Sequence, residues 1–114
     1  MKKPPQLDEI IRRIVEVADP QRILMFGSAA RGEMGPDSDI DLLVIVEGPI
    51  HHRRLAQKMY RRMIGVGQPV DLLVATPEDL ERYGESLGLV YRPALKEGEE
   101  VYVAADAVPA GRSS

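Results

Sequence analysis

The sequence predicts an α/β domain built on a small sheet. Strand-length aliphatic runs alternate with stretches of helical periodicity, and one of those runs, Ile40 to Val46, is apolar on both faces and so belongs in the middle of a sheet. The chain has 114 residues, enough for one domain with one modest core. Phe26 and four tyrosines are its only aromatic residues, so that core is expected to be aliphatic.

Leu7, Ile10, Ile11, Ile14, Val15 and Ala18 recur at helical spacing, with Asp8 and Glu9 in the first turn, where the helix dipole favours acids. Pro20 is expected to end this helix, which should cover one face of the sheet. Ile23-Leu24-Met25-Phe26 reads as a buried strand ending at Gly27, and Ser28 to Arg31 as a helical turn. Gly35 and Pro36 mark residues 32–38 as a loop. His51 to Ile64 is amphipathic: Leu55, Ala56, Met59, Tyr60, Met63 and Ile64 form the apolar stripe, and Arg53, Arg54, Lys58, Arg61 and Arg62 a basic face. Pro69 to Ala75 is a third strand. Thr76, Pro77 and Asp79 then open a helix in a capping-box-like arrangement. A further helical stretch is expected over residues 87–95, a turn over 96–99, and a short strand at Val101 to Val103. The domain is expected to occupy residues 1–103, with 104–114 as a flexible C-terminal tail.

Two acids break this apolar pattern where a strand begins. Asp39 and Asp41 stand two apart at the start of the central run, although Asp is disfavoured in strands. Side chains at i and i+2 share a face, so both carboxylates can hold the same hard cations, and Mg²⁺ prefers such oxygen ligands. Asp71 leads the third strand in the same way, and three acids at the starts of two neighbouring strands can converge. Upstream, Gly27 lets a phosphate approach the backbone, the amides of the following turn point at an anion, and Ser28 adds a hydroxyl donor. Arg31 could reach a phosphate or serve as a solvated surface residue. A phosphate cradle beside metal carboxylates suggests phosphoryl or nucleotidyl transfer, with Asp39 and Asp41 bridging two cations and Asp71 completing the site on the acceptor side.

The window Gly27-Ser28, ten residues, then Asp39-Ile40-Asp41 resembles the signature of the DNA polymerase β-type nucleotidyltransferase superfamily, and Val70-Asp71-Leu72 resembles its third carboxylate strand. The short length and the Ser-Asp-Ile-Asp-Leu wording point to the minimal nucleotidyltransferase (MNT) branch. The resemblance implies a palm-like mixed sheet with helices packed largely on one face. It also implies Mg²⁺ and ATP, with Gly27 and Ser28 gripping the triphosphate and Asp39, Asp41 and Asp71 as the metal-binding and catalytic carboxylates. MNT proteins are often antitoxins paired with a helical HEPN ribonuclease toxin, and some transfer AMP to a tyrosine of that toxin. At this length the acceptor site is expected to be completed by another protein. Two other readings stay open: a nucleotide-binding antitoxin acting by occlusion, and an aminoglycoside-type small-molecule nucleotidyltransferase.

The remaining features narrow the classes. The net charge of −3 gives no general pull toward nucleic acid, and a template-gripping polymerase is disfavoured. No run approaches the roughly 20 apolar residues that span a bilayer. The lack of cysteine removes disulfides and thiolate metal sites, and a cytoplasmic location is expected. The basic face of residues 51–64 could dock an acidic partner or RNA, or be a solvated helix surface. His51 and His52 read as surface residues and Tyr60 as core, while Tyr83, Tyr91, Tyr102 and Arg92 carry no assignable role.

Overall fold

The computed structural model describes residues 6–27, 39–83 and 98–105. Its elements are α1 (Leu7–Ala18), β1 (Arg22–Phe26), β2 (Ile40–Ile45), α2 (His52–Arg62), β3 (Val70–Ala75), α3 (Pro77–Tyr83) and β4 (Glu99–Val103). The expected turn at Ser28 to Arg31, loop 32–38, helix 87–95 and most of the tail lie outside the described residues, as do Tyr91 and Arg92.

The four strands form one mixed sheet in the order β3-β2-β1-β4. β1 pairs antiparallel with β2, from Arg22 opposite Ile45 to Phe26 opposite Asp41. β2 pairs parallel with β3, from Ile40 beside Val70 to Ile45 beside Ala75. β4 runs antiparallel to β1 and closes the other edge, with a register shift between Ile23 and Leu24. The doubly apolar run is thus an interior strand, as its composition demands.

Alternation along β2 and β3 divides the sheet into two faces. Ile40, Leu42, Val44, Leu72 and Val74 pack with Ile23 and Met25 against Leu7, Ile10 and Ile14 of α1 and Met59 of α2. Each of these aliphatic side chains, fully buried, contributes about 1.5–3 kcal/mol. The other face carries a smaller cluster of Leu24, Leu43, Ile45 and Ala75, touched by Phe26, Leu73 and Leu80 of α3. Among the described residues, helices therefore cover one face broadly and the second only at one end.

Local chemistry sets the element ends. α1 stops at Ala18 because Asp19 takes a left-handed conformation (φ 46°) and its N–H returns to the Val15 carbonyl at 3.1 Å. That cap, rather than Pro20, terminates the helix. α3 opens with the expected reciprocal cap: Thr76 Oγ1 accepts from the Asp79 N–H at 3.0 Å, and Asp79 Oδ2 accepts from the Thr76 N–H at 2.9 Å. Both histidines at the start of α2 are exposed, as expected, and both have partners. His51 caps the helix by accepting from the Arg54 N–H, and His52 bonds Asp79. Arg62 pairs with Glu16, and the Arg13 guanidinium donates to the Arg62 and Ile64 carbonyls, clasping α1 to the end of α2. β4 begins at Glu99, inside the expected turn, because Glu99 and Glu100 pair with Met25 and Leu24.

Candidate active site

Parity along the strands decides where the acids go. Asp41 shares a face with Leu43 and Ile45, and Asp71 with Leu73 and Ala75, so both stand on the face of the smaller cluster. Asp41 and Asp71 are register partners in the parallel pair, which sets their backbones about 4.8 Å apart. Asp39 lies exposed just before β2, two residues from Asp41. Among the described residues, neither Asp39 nor Asp71 is paired with a lysine or arginine.

Gly27 stands where β1 ends, directly after Phe26, the register partner of Asp41. Its φ is +73°, a region L side chains rarely adopt, and a Cβ there would lie 2.3 Å from Asp41 Oδ2. The room left by the absent side chain is thus taken by the Asp41 carboxylate. A glycine that was expected to admit a phosphate also makes way for the acid. Ser28 and Arg31, the other expected nucleotide-gripping residues, lie outside the described residues.

Ile64, placed by the sequence on the apolar stripe, is exposed beyond the end of α2, and the sequence misassigned Tyr60 as well. Tyr60 is 41% exposed rather than core, leaning over the edge of β3. Its hydroxyl accepts from the Leu72 N–H at 2.8 Å and donates to Asp71 Oδ1 at 3.2 Å. Partial burial pushes the phenol above its ordinary range; the Leu72 backbone bond opposes this, and the charges of Asp71 and Asp39 add to the rise. The phenol thus stays protonated and remains a donor. The available signal was the need of a buried tyrosine for a hydroxyl partner, at the border of the apolar stripe of α2.

A cleft of about 580 Å³ lies elsewhere. It is lined by residues 47–50 and 76–79 with His52 and Glu81, at the opposite ends of β2 and β3. Five residues of strand, roughly 17 Å, separate Thr76 from Asp71. The carboxylates are therefore not part of it.

A family model of the nucleotidyltransferase domain matches residues 6–111. The chain belongs to this family. No match was found among curated proteins. Among solved structures, the nucleotidyltransferase domain is similar to a chain of a toxin–antitoxin complex crystallised with AMP-PNP, at 19% identity and TM-score 0.58, covering 86% of this chain and 74% of that one. It is similar to a Sulfolobus solfataricus protein described as a nucleotidyltransferase, at 20% identity and TM-score 0.55, covering 96% of both. It is also similar to a chain of the Shewanella oneidensis complex of a tri-AMPylated HEPN toxin with an MNT antitoxin, at 18% identity and TM-score 0.54, covering 87% of this chain and 71% of that one. Likeness at these identities speaks for the fold.

The residues of the nucleotidyltransferase domain suit magnesium. Asp39, Asp41 and Asp71 offer only hard oxygen donors, and the gap at Gly27 accommodates one of them. Among the described residues, no three His, Asp or Glu side chains form a ready-made cage for an ion. The fit of Asp39, Asp41 and Asp71 to Mg²⁺ therefore rests on the chemistry of their oxygen donors.

Proposed function

We propose that this nucleotidyltransferase domain transfers AMP from ATP to a hydroxyl, that of a tyrosine on a partner protein, and acts as the antitoxin of a HEPN-type toxin. The observation that supports this most is the pairing of Asp41 with Asp71 across β2 and β3, on one face of the sheet, with the Asp41 carboxylate beside Gly27. Asp39 and Asp41 would hold Mg²⁺, with Asp71 as the third carboxylate on the acceptor side. When bound, the metal neutralises the triphosphate and polarises its α-phosphorus. Asp71 takes the proton from the acceptor hydroxyl, whose oxygen forms a bond to the α-phosphorus. The bond from that phosphorus to the bridging oxygen breaks, and pyrophosphate leaves with its electron pair. Gly27, Ser28 and Arg31 grip the triphosphate in this reading, and the site of action is the cytoplasm. The likeness to structures of toxin–antitoxin complexes, one with AMP-PNP and one with an AMPylated toxin, supports this choice of nucleotide and acceptor.

The test is co-incubation of the chain with ATP, Mg²⁺ and the helical protein encoded beside it, read by intact mass. A gain of one or more AMP units on the partner is expected, and its absence would remove the transfer reading. Full neutralisation by an Asp39→Asn, Asp41→Asn variant would favour occlusion. Efficient transfer to aminoglycosides without a partner would favour a small-molecule acceptor.

A further inference from the structure

We infer that Tyr60 is a positioning residue that holds the Asp71 carboxylate in its working orientation. This rests on the proposed function, in which Asp71 serves the acceptor. Among the described residues β3 is an edge strand, hydrogen-bonded to β2 on one side only. On its open side the Leu72 N–H meets the Tyr60 oxygen at 2.8 Å, which fixes the phenol relative to the strand. The single phenolic proton is then directed to Asp71 Oδ1 at 3.2 Å. The Leu72 carbonyl, at 3.5 Å, is a more distant and uncharged competitor. One hydroxyl thus ties the backbone of residue 72 to the side chain of residue 71. It occupies one carboxylate oxygen and leaves the other for a cation or an acceptor proton.

The position of α2 explains why a tyrosine serves here. Met59 is fully buried against the sheet, so the next residue round the helix reaches the sheet's rim instead of its face. A leucine there could cover the rim but not bond it.

Tyr60→Phe tests this, because the ring remains and only the hydroxyl is lost. In the resting protein the carboxyl carbon NMR signal of Asp71 should shift and the Leu72 amide should exchange faster. In turnover, kcat should fall about tenfold or more with the KM for ATP unchanged, since Tyr60 acts through Asp71, which the proposed function assigns to the acceptor. Against an Asp71→Asn background the same change should have no further effect on kcat. A folded Tyr60→Phe protein with lowered melting temperature but unchanged kcat would overturn the inference, as would additive losses in the double variant. AMP found on Tyr60 itself would overturn it in favour of a modified site. The NMR arm needs no turnover. If the wild-type chain transfers nothing while the Asp71 signal still shifts, the proposed function has failed and the Tyr60–Asp71 link has not.

Discussion

Replacing Gly27 with alanine separates backbone strain from damage to the carboxylate site. At φ +73° a Cβ costs about 1–2 kcal/mol. At about 2.1 cal/mol/K per residue, the unfolding entropy of 114 residues is about 0.24 kcal/mol/K, so that strain lowers the melting temperature by about 4–8 °C. The second effect is local. The new Cβ would lie 2.3 Å from Asp41 Oδ2, while ordinary contact begins at 3.4 Å, so the carboxylate must move by about 1 Å. Because it is the far end of a short side chain, this shift adds little to the stability cost. A misplacement of about 1 Å at a catalytic group nevertheless costs up to about a hundredfold in rate. Gly67 supplies the control. Its φ is +81° and nothing lies within 4 Å of the Cβ position, so Gly67→Ala should show a similar drop in melting temperature with activity intact. Thermal melts and AMP-transfer rates on both variants decide the matter. Equal rates for Gly27→Ala and Gly67→Ala would refute the assignment of that space to a working carboxylate.

Three further outcomes follow from particular contacts. Thr76→Ala removes a buried cap on α3 and should cost about 1 kcal/mol in a urea melt, without loss of nucleotide binding. Hydrogen bonds from Arg12 and Arg13 hold the Glu9 carboxyl down at about 2 against an ordinary 4.5. The stability from this depressed carboxyl is therefore complete above the unfolded value and lost as pH falls from about 4.5 through about 2, and Glu9→Gln should flatten that limb in acid melts. The Tyr60 phenol should titrate above its ordinary range by ultraviolet absorbance. In Asp71→Asn it should move only part of the way back, because burial, the largest cause, remains.

Most elements were legible because each solves a local problem. The α1 stripe, the Thr76–Asp79 cap and the doubly apolar β2 are written in short-range spacing, and the structure reproduces them within a residue or two at their ends. What spacing could not give was the partner of each strand. Asp71 stands thirty residues from Asp41, and only parallel pairing in the observed register brings the two together on the same face. A slip by one residue would have turned one of them toward the aliphatic core. Tyr60 failed for a related reason. Helical periodicity ranks residues by angle around one axis and says nothing about where a neighbouring sheet ends.

By itself the sequence singled out the residues proposed to carry chemistry: a glycine ending one strand, and acids opening two others where acids are costly. The tertiary structure alone decided their arrangement. It turned the Asp41 carboxylate into the space above Gly27, set Asp71 beside it, and brought a helix residue to the sheet edge to hold Asp71. The division is physical. Local free energies of helix, strand and turn depend on neighbours in the chain, whereas register and edge contacts depend on how much aliphatic surface each alternative pairing would bury.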